Sequence, residues 1–279
     1  MMMIIALFPS KKKDLHFEIA KSVIDFFHER NVQVVVEDAD AAELSCPPVS
    51  SLPVHQIHSM ISMGGDGTIL KNARQMIEHG IPILGINLGH LGFMADVPLY
   101  DIYPSLEDFL EGAYTIENRL IIETSQPHSH FALNDFVIHR ARNPSLVEIS
   151  ISVDGLFLNS FEADGVILST PNGSTAYSLA AGGPILVPHL KAFVITPICP
   201  HTISNRPIVL SSESTVTVQY LGFHEPLEVM ADGIDRFELK KEEKISFSLS
   251  QKTFRLINLN RRDYFSTLRT KLSWSGKLR

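Results

Sequence analysis

Gly64-Gly65-Asp66-Gly67-Thr68 stands between an apolar run and a stretch with helical spacing. Glycines at such a turn let the backbone approach an anion closely, and the helix N-terminus that follows favours negative charge. The pentapeptide therefore suits a phosphate. An aspartate inside a phosphate loop would repel the ligand unless it binds a divalent cation or accepts a proton from an attacking hydroxyl, and both roles belong to phosphoryl transfer. Read alone, the same five residues also fit an ordinary strand-to-helix turn with Asp66 near a helix start. Lys71, about one turn into that helix, is either close enough to neutralise phosphate charge or simply a surface lysine.

A second constellation is Thr170-Pro171-Asn172-Gly173-Ser174-Thr175-Ala176-Tyr177, preceded by Ala163-Asp164-Gly165 and followed by Ala181-Gly182-Gly183-Pro184. Its hydroxyls and turn-forming backbone suit a ribose and a diphosphate, Tyr177 suits the face of a flat ring, and Asp164 suits an amide or hydroxyl donor. The same residues also make a long hairpin connection. A third is Leu133-Asn134-Asp135, an amide beside a carboxylate. Neighbours along a strand face opposite ways, so a pair serving one ligand requires a bulge or a strand end there.

These loops need elements to hold them. An apolar start, Met1 to Phe8, is followed by Leu15, Ile19, Val23, Phe26 and Phe27 at helical spacing and by a β-branched run, Val32 to Val36. Gln56 to Met63 reads as another strand, Ile69, Leu70, Ala73, Met76 and Ile77 as a helix ended by Gly80, and Ile81 to Ile86 as a strand again. Strands alternating with helices imply a parallel sheet with helices on its faces. After Gly112 the period changes to strict alternation, clearest in Val147, Ile149, Ile151 and Val153, with Asp154-Gly155 as a two-residue hairpin turn. Thr215 to Tyr220, Lys244 to Leu249 and Thr253 to Leu259 continue the pattern of an antiparallel sandwich. Tyr264, Phe265, Leu268 and Leu272 predict a terminal helix.

Composition narrows the class. The chain has 279 residues, 44% hydrophobic and 20% charged, which fits two ordinary globular domains. A formal net charge of −7 argues against a general nucleic-acid or membrane-surface binder, which needs a basic excess. Cys46 and Cys199 lack a paired spacing, so a reducing compartment is expected, with neither a disulfide framework nor a thiolate metal site. Lys11-Lys12-Lys13 follows the apolar start rather than preceding it, unlike a signal peptide, and no apolar stretch approaches membrane-spanning length; the cytoplasm is the expected address.

Taken together and in order, GGDGT at 64–68, LND at 133–135, ADG at 163–165 and TPNGSTAY at 170–177 resemble the NAD kinase family. Gly85 to Phe93, Ala181 to Pro184 and Pro200 to Pro207 look like it too, so the resemblance covers about residues 60 to 235. A GGDG loop alone also occurs in lipid kinases and phosphofructokinase relatives; LND and TPNGSTAY separate them. The resemblance implies an α/β Rossmann-like N-terminal domain over 1–114, a mostly-β C-terminal sandwich over 115–260, and a tail over 261–279 returning to the first domain. It implies a kinase acting on the adenosine 2′-hydroxyl of NAD, with ATP or polyphosphate as donor, a divalent cation such as Mg²⁺, and assembly as a homodimer or homotetramer. Nucleic acid and membrane are not expected partners. It implies Asp66 as proton acceptor, Gly67 and Lys71 beside the phosphates, and Asn134, Asp135 and Asp164 holding the nicotinamide nucleotide. Thr175, Ala176, Tyr177, Ser178, Leu179 and Ala180 would line that pocket, and Ser145 and Glu162 occupy positions that contact the nucleotide in relatives. Four positions depart from the usual pattern: Asn172 for threonine, His90 for arginine, Ala180 for serine and Ile234 for glutamine. Loss of the hydroxyl and the amide at the last two removes hydrogen bonds worth about 0.5 to 1.5 kcal/mol each.

Overall fold

The computed structural model describes residues 3–89, 92–95, 97–125, 129–202, 204–222, 225–274 and 276. The chain divides into two compact units, Met1–Asn118 with Phe254–Arg279, and Arg119–Thr253. Among the described residues no helix is long and apolar enough to cross a membrane.

The first unit is built on strands β1 (Ile4–Pro9), β2 (Gln33–Val36), β3 (Ser59–Gly64), β4 (Ile83–Asn87), β5 (Val97–Pro98) and β6 (Thr115–Arg119). β1 is wholly buried, as the central strand of a sheet covered on both faces must be. The order is β2-β1-β3-β4, then the strand Phe254–Asn258, then β6, with β5 also beside β4. β1 pairs in parallel with β2 and β3, and β3 with β4, so their carboxyl ends emerge along one edge. The chain goes from β1 outward to β2 and returns past it to β3, which makes the β1/β3 boundary the point where successive connections diverge.

Helices α1 (Glu18–His28), α2 (Ala41–Leu44), α3 (Asp66–Met76) and α4 (Ile102–Leu110) connect the strands. The apolar faces of α1 and α4 bury Val23, Ile24, Phe27, Leu106 and Phe109 against the sheet. α1 starts later than the helical spacing suggests: Phe17 takes a left-handed φ of 54°, and Leu15, expected on the buried face, is 68% exposed. The terminal helix lies at Tyr264–Lys271, as expected, and Arg261 ahead of it pairs with Asp101 at 2.7 Å and Asp108 at 2.5 Å around α4.

Among the described residues the strand pairs of the second unit are antiparallel. Its strands are β7 (Ile122–Thr124), β8 (Phe131–Ala132), β9 (Asp135–His139), β10 (Val147–Val153), β11 (Leu156–Ala163), β12 (Gly165–Ser169), β13 (Ala192–Ile198), β14 (Ile208–Ser211), β15 (Val216–Tyr220), β16 (Leu227–Ala231), β17 (Asp235–Leu239) and β18 (Lys244–Leu249). They form two sheets, β11-β10-β15-β18-β7-β8 and β14-β13-β12-β9-β16-β17, and residues of both build one core that includes Phe136, Phe161, Phe193, Tyr220 and Phe247. Asp154 and Gly155 turn the β10–β11 hairpin at φ 52° and 79°, the left-handed pair that matches strand twist.

Two expectations are corrected. The run Thr253–Leu259 is not part of the sandwich: Leu256 pairs in parallel with Ile83 of β4. The boundary expected after residue 114 falls after Asn118, because β6 joins the first unit's sheet. A strand's own apolar pattern states that it is buried, not which sheet buries it.

Phe247 is fully buried, with its ring 5.0 Å from that of Phe136. Phe247→Ala is expected to destabilise the second unit by about 3–5 kcal/mol through lost burial and the cavity left behind. A lower denaturant midpoint at unchanged m-value checks it.

Candidate active site

In the first unit, Asp66 is the first residue of α3 and follows directly from β3 through Gly65. Its carboxylate turns toward the loop after β4. Oδ2 accepts the Phe93 N–H at 2.7 Å, and Oδ1 accepts those of Met94 at 3.1 Å and Ala95 at 3.4 Å. A Cβ at Gly92 would fall 2.0 Å from Oδ1, so the chain passes the carboxylate there only as glycine. Three backbone donors and the start of a helix thus surround one carboxylate. Gly67 is exposed beside it. Lys71 is exposed on α3 within electrostatic reach of Asp40. His90 lies outside the described residues. Among the described residues no group of three or more His, Cys, Asp or Glu side chains gathers as a metal site.

In the second unit, Asn134 and Asp135 sit at a strand end, the condition under which adjacent residues can serve one pocket: β9 begins at Asp135. What holds them there is Asp232. Its carboxylate accepts the N–H groups of Leu133 at 2.9 Å, Asn134 at 2.7 Å and Asp135 at 3.3 Å, while its own N–H donates to the Asp135 carbonyl at 3.0 Å. Asp232 takes a left-handed φ of 53° in the β16–β17 turn, a conformation most side chains avoid. Burial, and then the charge of Asp232, push the Asp135 carboxyl from its ordinary 3.8 up to about 7.

The TPNGSTAY segment is fastened to the same strand end. Thr170 donates its hydroxyl to the Leu133 carbonyl at 2.6 Å and its N–H to that of Asn134 at 2.8 Å. Gly173 packs so tightly that a Cβ would lie 2.2 Å from the Asn134 carbonyl oxygen. Asn172 donates its amide to Asn134 Oδ1 at 2.6 Å and accepts from the buried Arg119 at 3.4 Å. Asparagine at 172 thus stands between Arg119 and Asn134, its amide bonded to both. Thr175 and Ala176 close the turn, bonding to the Asn172 and Gly173 carbonyls. In the one-turn helix α5 (Tyr177–Ala180), Ser178 is buried on Thr196 at 2.8 Å, Tyr177 is exposed, Leu179 half-buried and Ala180 exposed. Nothing in the structure explains the residue types at Ala180 and Ile234.

Asp164, between β11 and β12, pairs through Oδ1 with Arg140 Nε at 3.0 Å. Arg140 Nη1 also donates to the carbonyls of Asn143 at 3.2 Å and Pro144 at 3.0 Å, organising the loop that carries the exposed Ser145. Glu162 is exposed on β11 beside His201. The structure therefore fastens Thr170, Asn172 and Gly173 directly to Leu133 and Asn134, with residues 175–180 following on from that segment, and links Ser145 to Asp164 through Arg140. Three supporting residues, Asp232, Arg119 and Arg140, were not singled out from the sequence. A signal existed for the first: Ala231-Asp232-Gly233 repeats the tripeptide of 163–165. A cavity of about 590 Å³, lined by His139, Arg142, Glu225, Glu228, Arg236 and Glu238 among others, lies elsewhere on this unit, and none of the candidate residues lines it.

Comparison with known proteins places these features in context. Family models match twice: the ATP-NAD kinase N-terminal domain over residues 49–114 and the ATP-NAD kinase C-terminal domain over 133–259. The chain is 53% identical over 278 residues to an NAD kinase of Protochlamydia amoebophila, covering 99% of each. It is 37% identical over 268 residues to one of Geotalea daltonii, covering 93% of this chain and 94% of that one. The fold is that of yeast NADH kinase solved with NADH, at a TM-score of 0.84, 24% identity and coverage of 100% of this chain and 89% of that one. An NAD kinase of Archaeoglobus fulgidus solved with ATP gives a TM-score of 0.78 at 24% identity, covering 99% of this chain and 100% of that one.

The Asp135 carboxyl supplies a test of the local electrostatics. Because its folded pKa is raised, its contribution to stability is complete below the unfolded value near 3.8 and is lost as pH rises through about 7. Asp135→Asn removes this term. Its stability relative to the parent is expected to improve between pH 4 and pH 7 and to stay level above pH 8, as read by denaturant titrations across that range.

Proposed function

The chain belongs to the NAD kinase family, and on that premise we propose how its residues divide the work of phosphorylating NAD. The observation that carries the reading is the Asp66 carboxylate, fixed by three backbone N–H groups. A carboxylate offers about four acceptor positions, so one on Oδ2 remains. That position takes the proton of the adenosine 2′-hydroxyl as its oxygen attacks the donor's terminal phosphorus and the bond from that phosphorus to the bridging oxygen breaks, giving NADP and a donor shortened by one phosphate. General-base help of this kind is worth about 10²–10⁴-fold, and positioning with charge neutralisation supplies most of the rest.

The donor's phosphates lie over the backbone of Gly64 to Gly67 at the start of α3, where N–H groups and the helix dipole meet negative charge. ATP is the donor this reading favours, supported by the Archaeoglobus relative solved with ATP; polyphosphate would use the same phosphate contacts. Mg²⁺ is characteristically held by substrate phosphates, one or two carboxylates and water, and enters as the donor's complex. Lys71 keeps its place as a cation on the same helix.

On the nucleotide side, Asn134 is engaged at Oδ1 by Asn172 and presents its amide hydrogens to an acceptor. Asp135, with a carboxyl near 7, both donates and accepts at neutral pH. Asp164, held by Arg140, accepts from an amide or hydroxyl, and the exposed ring of Tyr177 covers a flat ring, with Thr175, Ala176, Ser178, Leu179 and Ala180 shaping the wall. Ser145 and Glu162 complete the rim. The yeast relative solved with NADH supports this nucleotide assignment. Assembly as a homodimer or homotetramer through the β unit belongs to the same reading. It is supported by the edge strand β11, on which Leu156, Phe157 and Leu158 are exposed.

Asp66→Asn is expected to lower kcat by about 10²–10⁴-fold while leaving NAD affinity within a few-fold. Replacing one oxygen by an amide also costs the loop after β4 an acceptor, about 1–3 kcal/mol of stability. Measuring NADP formation with an NADP-specific dehydrogenase, together with NAD binding and thermal midpoint, separates the two effects. Near-normal turnover in a folded variant would remove Asp66 from the chemistry.

A further inference from the structure

The cation that stands at the glycine turn comes from a different part of the chain than α3. The loop leaving β1 is fixed at both ends. Ser10 donates its N–H to the Met63 carbonyl at 2.8 Å, the N–H groups of Lys13 and Asp14 both return to the Ser10 carbonyl at 2.8 and 3.0 Å, and the buried Asp14 carboxylate accepts the Ala20 N–H at 2.9 Å. Between these anchors Lys13 sends its side chain across the carboxyl edge of the sheet. Its Nζ lies 2.9 Å from where a Cβ on Gly65 would stand and 2.9 Å from where one on Gly89 would stand. The ammonium therefore sits against two glycines from two other loops, those that follow β3 and β4.

The other lysines of the run are placed differently. Lys11 pairs with Glu43 at 2.5 Å, and Lys12, exposed as Lys13 is, meets neither glycine. Among the described residues no carboxylate pairs with Lys13. Its position is at the β1/β3 boundary, where connections diverge and where open parallel sheets characteristically leave a crevice for ligands. An ammonium carries three donors on a flexible stem, the geometry of a phosphate contact that can follow a moving group.

We propose that Lys13 binds the phosphoanhydride chain of the donor above Gly65. The inference rests on the reading that the donor's phosphates lie over the glycine turn, and assigns their principal side-chain cation to the β1 loop. Nucleoside triphosphates and inorganic polyphosphate share this chemistry.

The test compares Lys13→Met, Lys13→Arg and Gly65→Val with the parent enzyme in steady-state assays. ATP and, separately, inorganic polyphosphate are varied at saturating NAD. Then NAD is varied at saturating donor. Losing one charge-assisted contact is expected to raise the donor KM of Lys13→Met roughly tenfold to a hundredfold, with NAD KM and thermal midpoint unchanged. Lys13→Arg is expected to recover most of that loss. A rise seen with only one donor identifies that donor as the occupant. At Gly65 an added Cβ meets only the Lys13 side chain within 4 Å, so Gly65→Val is expected to fold and to raise the donor KM by blocking the turn. If Gly65→Val raises donor KM and Lys13→Met does not, the donor is over the turn and Lys13 is not its partner. If neither raises it, the placement of the donor over the turn fails and takes the proposal with it. A rise in NAD KM instead, or a loss of activity that tracks a lower thermal midpoint, also overturns it.

Discussion

Parallel pairing of β1 with β3 and of β3 with β4 is the constraint from which the rest of the first unit follows. Pro9 stands opposite Met63 and Gly64 opposite Asn87, so three chain segments leave the sheet at the same level. Each must then turn into a helix or loop, and their turns share one crowded edge. Glycine at 65, 89 and 92 reflects that crowding: side chains from other segments occupy the space where a Cβ would be. A crowded edge of backbone N–H groups is also where negative charge is best accommodated. The phosphate handling proposed for this edge would thus follow from strand direction before it is a matter of particular side chains.

Both units use the same device to fix their chemistry. In each, one aspartate carboxylate gathers three successive backbone N–H groups from a segment distant in sequence: Asp66 those of residues 93–95, Asp232 those of 133–135. Charge-assisted bonds of this kind are about twice as strong as neutral ones, and three converging on one group specify a loop's path as well as its stability. The difference lies in what is held. Asp66 holds a loop and is itself the base in the proposed reaction, whereas Asp232 holds the residues proposed to face the nucleotide. Burial raises the proton affinity of Asp135 and the charge of Asp232 adds to it, so a structural carboxylate contributes to the protonation of its neighbour.

Much of this was legible in the residues alone. The strand-helix alternation through Ile86, the alternation at Val147 to Ile151 and the Asp154-Gly155 turn each depend on local periodicity, and each appears where it was expected. What escaped was decided by distant parts of the chain. Leu15 fits the helical period, but the left-handed backbone at Phe17 puts it outside the helix. The strand Phe254–Asn258 carries a sandwich-like pattern and is claimed by the other unit's sheet. Lys13 reads as one of three surface lysines until the loop is folded over Gly65. Asn172 reads as a departure from the usual threonine until Arg119 and Asn134 are seen on either side of its amide.

The placement of Phe254–Asn258 beside β4 bears on how the molecule is made. A ribosome delivers β1 to β4 early, yet the strand that lies between β4 and β6 emerges only after the whole second unit has been synthesised. Until then β5 covers β4 only at Ile86 and Asn87, and the end of β4 around Ile83 lacks its partner, a stretch of unpaired edge of the kind that recruits other chains. The second unit has no such dependence and can complete its two sheets first. Synthesis therefore leaves the α/β unit as the last to close, with a period of exposure proportional to the time needed to translate the sandwich.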